Sequence, residues 1–136
     1  MFSPDTKKEL QEAVNLWCDN EEEALKKYGY INDWDVSKIT DMSSLFKNKE
    51  NFNSDISNWN VRNVKSMKMM FYYAKSFNSN ISLWNVSDVT NMKGMFFRSE
   101  TFNQDISIWN VSNVKNHRDI FVNSNIKEEF KPQFKN

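Results

Sequence analysis

The sequence predicts an α/β repeat solenoid: a stack of four 25-residue coils, each a short parallel strand followed by a short helix, behind an N-terminal helical cap. Three observations carry that prediction. Trp34, Trp59, Trp84 and Trp109 fall 25 residues apart. Apolar positions between them recur in one register, and the residues ahead of the first Trp follow a different, helical pattern. Self-similarity at a fixed period marks a chain whose units bury apolar surface against each other rather than alone.

Within each unit the columns are specific. Ile31, Ile56, Ile81 and Ile106 precede the Trp, and Val36, Val61, Val86 and Val111 follow it. The β-branched and aromatic Ile-x-x-Trp-x-Val stretch favours a short strand. Val64, Met67, Met70, Phe71 and Ala74 then recur at three- and four-residue steps, which predicts one face of a helix. Phe46, Phe71, Phe96 and Phe121 form one aromatic column, and Phe52, Phe77 and Phe102 another. Ser37, Ser87 and Ser112 stand where they would cap the helices, with Arg62 breaking that column and Asn60 the replacement cap. Polar columns (Asp35, Asn60, Asn85 and Asn110; Asn53, Asn78 and Asn103) are expected to satisfy turn backbone. With only two Gly in the chain, side-chain hydrogen bonds must shape those turns.

The chain reads as one domain, 1–136, with a helical cap at 3–29, repeats over 31–125 and a tail or second cap at 126–136. In the cap, Leu10, Ala13, Val14 and Trp17 make one amphipathic face, and Ser3-Pro4 is the expected start signal. Asn20 caps a second helix, acidic in its first turn, basic in its last and stopped at Gly29. Phe130 and Phe134 in the tail leave two readings open, a fold over the last unit or a frayed end.

Composition excludes several function classes. The 18 basic and 18 acidic side chains cancel, so no global field draws the chain to nucleic acid. Cys18 is the single cysteine and His117 the single histidine, the latter in the Met column of the last unit, which reads as packing rather than chemistry. There is no glycine-rich phosphate loop, His-Glu metal motif or nucleophile elbow, so no enzyme, cofactor or metal site is expected. Asp55 and Asp105 share one column, but Asn80 interrupts it, which argues against a calcium ladder. No apolar run approaches the ~18 residues a membrane helix requires, and the first residues carry no pattern of a signal peptide.

The segments FNSDISNWNVRNVKSMKMMF and FNQDISIWNVSNV resemble the repeat of BspA-like leucine-rich-repeat surface proteins, over roughly residues 7–125. The resemblance implies a leucine-rich-repeat-like stack and a role in adhesion or protein recognition at a cell surface.

Columns that change from unit to unit are the candidates for recognition, since packing occupies the fixed ones, among them Trp34, Trp59, Trp84, Trp109, Phe46, Phe71, Phe96 and Phe121. Asp33, Asn58, Leu83 and Ile108 form one such column, apolar at one end. Lys47, Tyr72, Phe97 and Val122 form another, beside Asn48, Tyr73, Arg98 and Asn123. Tyr72, Tyr73, Phe97 and Arg98 have the composition of a binding hot spot, the other reading being that Tyr72 and Phe97 pack beneath a loop. The expected function is non-catalytic protein binding, with a carbohydrate-binding adhesin as the alternative and self-association through the stack ends a further expectation.

Overall fold

Every second backbone N–H in the middle of a unit leaves that unit. In the computed structural model, which describes residues 1–135, the N–H groups of Met42, Ser44, Phe46 and Asn48 donate to the carbonyls of Ser66, Lys68, Met70 and Tyr72, at 2.8–2.9 Å. The same pattern joins Met67, Met69, Phe71 and Tyr73 to the third unit, and Met92, Gly94, Phe96 and Arg98 to the fourth. The intervening N–H groups turn back three residues within their own unit, as Met70 to Met67, Tyr72 to Met69 and Ala74 to Phe71 do at 3.0–3.2 Å. The carbonyls of Met67, Lys68, Met69, Met70 and Phe71 are taken up by the same alternation, so a buried run without helix or strand still pairs its backbone.

The alternation requires a backbone that reverses hand. Ser44, Met69, Gly94 and Asp119 sit at φ between 56° and 61°, and Asn48, Tyr73, Arg98 and Asn123 between 57° and 63°. Two left-handed residues per unit prevent the linked turns from winding into an α-helix. The expected α/β solenoid is corrected accordingly. Both α-helices of the described residues lie before residue 30, and β-type bridging between units is limited, among those residues, to the isolated parallel bridges Asp41–Ser66, Ser66–Asn91 and Asn91–Asn116. The Ile-x-x-Trp segment is not a strand either, because the Trp N–H closes a turn onto the Ile carbonyl in every unit. A leucine-rich-repeat-like arrangement needs a stack of parallel strands, so that implication falls as well.

The serine caps are also reassigned. Asp35, Asn60, Asn85 and Asn110 accept the N–H two residues ahead, from Ser37, Arg62, Ser87 and Ser112. Only the backbone of the later residue is needed, so Arg62 fits as well as serine. Asp55, Asn80 and Asp105 build the same turn onto Ser57, Ser82 and Ser107. Across units, Asn53 accepts the Asn78 N–H and Asn78 the Asn103 N–H, at 2.7 and 2.9 Å.

The core is a set of aligned rings. Phe46, Phe71, Phe96 and Phe121 stack at 5.4–5.7 Å, and Phe52, Phe77 and Phe102 at 5.7–5.8 Å. Each Trp ties its unit to the one before it: the indole N–H groups of Trp59, Trp84 and Trp109 donate to the buried carbonyls of Ile31, Ile56 and Ile81.

Helix α1 (Lys7–Asp19) buries Leu10, Ala13, Val14 and Trp17. It begins later than Ser3-Pro4 suggests, because Thr6 is the cap, accepting the Glu9 N–H at 3.2 Å. Asn20 caps helix α2 (Glu21–Tyr28), and Gly29, at φ 76°, ends it. At the other end the tail lies over the fourth unit: the Phe130 carbonyl accepts the Ile106 N–H at 3.0 Å, Pro132 is buried, and Phe134 stacks on His117 at 4.1 Å. Asn136, the last residue of the expected tail, lies outside the described residues.

Candidate interaction surface

The surface follows from the linked turns. Position 72 of the second unit and position 97 of the third follow the inward Phe of their units, so their side chains leave the core and come to lie side by side. The rings of Tyr72 and Phe97 are parallel within 9° at 4.9 Å, and both residues are half-buried. Gly94 lies below the pair at φ 61°, where a Cβ would meet the Tyr72 ring at 3.9 Å and Met69 Cγ at 3.4 Å, ordinary contact distances. Tyr73 occupies one of the left-handed positions, with the guanidinium of Arg98 over its ring at 5.0 Å and the Lys75 ammonium at 4.8 Å. Lys47 lies 5.3 Å from the centre of the Tyr72 ring. Four cation–aromatic and ring–ring contacts thus make a strip across units two and three, with Arg98 itself exposed.

Leu83 and Ile108 stand elsewhere on the unit, just before the Trp, and are 87% and 72% exposed. Their column continues at Asn58 and Asp33 into a cleft of about 590 Å³ lined also by Phe2, Tyr28, Tyr30 and Trp34. Tyr30, 63% exposed at the rim of that cleft, was missed in the sequence because it precedes the first repeat and belongs to no column. The eight fixed Trp and Phe positions lie in or against the core instead, with Phe121 the half-buried one at the loosened last unit.

The chemistry-bearing residues sit in ordinary settings. Burial pushes the Cys18 thiol up to about 11, so it stays protonated at neutral pH. No cluster of three or more His, Cys, Asp or Glu side chains able to hold a metal occurs among the described residues. Hydrogen bonds from the Ser37 side chain and backbone hold the Asp35 carboxyl below its usual range, and Ser107 does the same for Asp105. Burial acts to raise Asp41, but the Ser43 hydrogen bonds and Lys7 together outweigh it and lower that carboxyl. No helix among the described residues is long and apolar enough to cross a membrane.

The fold is thus a ring-stacked chain of linked turns carrying a cationic aromatic strip on its surface. The model of the family described as "Mycoplasma protein of unknown function, DUF285" matches residues 12–133, and the chain belongs to that family. No curated protein and no solved structure matches it.

Proposed function

We propose that this protein is a non-catalytic interaction module whose contact face is the strip formed by Tyr72, Tyr73, Phe97 and Arg98. The carrying observation is the Tyr72–Phe97 pair, stacked at 4.9 Å outside the core on a column the repeat leaves free to vary. Aromatic side chains with an adjacent arginine concentrate binding energy where they are desolvated by a partner. Leu83 and Ile108 supply a second apolar contact, since two such side chains 87% and 72% exposed in one column serve no packing role. The resemblance of the repeat to BspA-like surface proteins supports a partner met at a cell surface.

A protein partner suits this face better than a sugar. Stacking on a sugar requires a free ring face, yet Tyr72 is covered by Phe97 and Lys47, and Tyr73 by Lys75 and Arg98. The test compares the native chain with a Tyr72→Ala, Tyr73→Ala, Phe97→Ala variant in affinity capture from cell-surface extracts. Proteins retained by the native chain are expected to be lost from a variant whose thermal melt remains cooperative. Identical capture by both would refute the assignment.

A further inference from the structure

The junctions between units have a direction. Along the linked turns, N–H groups of the earlier unit donate to carbonyls of the later one, at 2.7–2.9 Å in every junction. The first unit therefore turns carbonyls outward and the fourth turns N–H groups outward. At the first edge the chain supplies a donor itself. The side-chain amide of Gln11, on α1, donates to the Leu45 carbonyl at 3.0 Å. The equivalent carbonyls of Met70, Met95 and Ile120 take the Phe N–H of the preceding unit. The fourth unit is different. Among the described residues no acceptor stands against the N–H groups of Asp119, Phe121 and Asn123, the counterparts of Gly94, Phe96 and Arg98. Asp119 and Asn123 are exposed and hold φ of 59° and 58°, the left-handed setting used inside the stack, so the edge already has the shape of a junction. The tail covers the neighbouring rings instead, with Phe134 on His117 and Lys131 over Phe121.

The junctions within the molecule define what fits such an edge. A partner must present carbonyls at alternate residues of a turn run broken by left-handed positions. It must also place a phenylalanine to continue the column stacked at 5.4–5.7 Å. An intact second copy does not qualify. Two last units set together bring donors against donors, and a last unit set on another copy's first unit meets the edge that α1 already closes. We infer that the edge at Asp119, Phe121 and Asn123 docks a turn-built unit of this same repeat on another polypeptide, one whose carbonyl edge carries no helical cap. A row of unpaired backbone groups held in register is a template for adding a further segment of chain. Here the register and the ring column are those of the stack itself, and the inference does not rest on the Tyr72–Phe97 strip.

The probe is the peptide of residues 64–78, which carries the carbonyls of Ser66, Lys68, Met70 and Tyr72 and the Phe71 ring. A scrambled peptide of the same composition is the control. Each is titrated to about 1 mM, the weak end of specific affinity, into the isotope-labelled full chain followed by nuclear magnetic resonance. The amide signals of Asp119, Phe121 and Asn123 are expected to shift and to gain protection from solvent exchange, while those of Gly94, Phe96 and Arg98 stay as they are. The scrambled peptide should do neither. Phe71→Ala in the peptide should weaken binding about three- to tenfold, the loss of one ring stack. No change at the three edge amides, equal effects of the scrambled peptide, or indifference to Phe71→Ala would overturn the inference. Concentration-dependent mass of the intact chain in light scattering, with the same three amides protected, would also overturn it by assigning the edge to a second copy.

Discussion

At the scale of single residues, the tryptophans carry more than bulk. Trp84 is 4% exposed, and its indole N–H is the partner of the buried Ile56 carbonyl at 3.1 Å. Trp84→Phe keeps a ring in the slot but strands that carbonyl, a change that costs ~1–3 kcal/mol for an unsatisfied buried group. Guanidinium unfolding should show a lower midpoint with an unchanged slope; an unshifted midpoint would mean that water or backbone movement replaces the bond. The packing role of the Trp column was legible in the sequence because four copies in register leave little else to read. Its hydrogen bond was not, since the acceptor lies 28 residues upstream, three positions beyond one repeat length. The left-handed positions were hidden for a related reason. Glycine marks one of the eight, Gly94, while Ser44, Met69, Tyr73 and Arg98 adopt the same φ without a glycine to announce it.

At the scale of elements, the unit is made of turns whose side-chain acceptor is mostly Asn or Asp, with Ser66 and Ser124 in the same role. The three- and four-residue spacing of Val64, Met67, Met70, Phe71 and Ala74 looks helical, yet the same residues are all buried along linked three-residue turns. Periodicity reports which side chains face inward; it does not report the sign of φ between them. Asx turns make a pH prediction, because Asp35, Asp41 and Asp105 have carboxyls held below their ordinary value. A lowered folded pKa means that their stabilising contribution is complete above the unfolded value of about 3.9 and drains away as pH falls through the folded value. Asn already fills the Asp35 column at Asn60, Asn85 and Asn110 with the same hydrogen bond. The variant Asp35→Asn, Asp41→Asn, Asp105→Asn should therefore melt within a few degrees of the native chain at pH 7, while losing less melting temperature from pH 5 to pH 3. Parallel acid-induced losses in the two proteins would place the acid sensitivity in other carboxylates.

At the scale of the whole molecule, the two ends of the stack are closed by unequal means. Trp34 has no preceding unit, so its indole N–H takes the Gly29 carbonyl at 3.1 Å, and the rings of Phe2, Trp17 and Tyr28 surround it at 5.2–6.0 Å. Helices α1 and α2 thus stand in for a missing unit at both the hydrogen-bond and the ring level. The far end has Phe134 on His117 and Lys131 over Phe121, and the last-unit side chains Val114 and Ile120 are 4% and 6% exposed where Val64 and Met70 are fully buried. Units that hold only their neighbours lose stability from whichever end is less well covered. Amide exchange should accordingly reach the turn N–H groups of Ile120, Val122 and Ser124 before those of Met70, Tyr72 and Ala74, which make the equivalent bonds. Trp17→Ala removes the buried indole at the sealed end and should cost ~3–5 kcal/mol. Phe134→Ala removes a single stacked ring and should cost only ~0.5–1.5 kcal/mol. Equal costs, or faster exchange in the second unit than in the fourth, would show that the tail seals its end as firmly as the helices seal theirs.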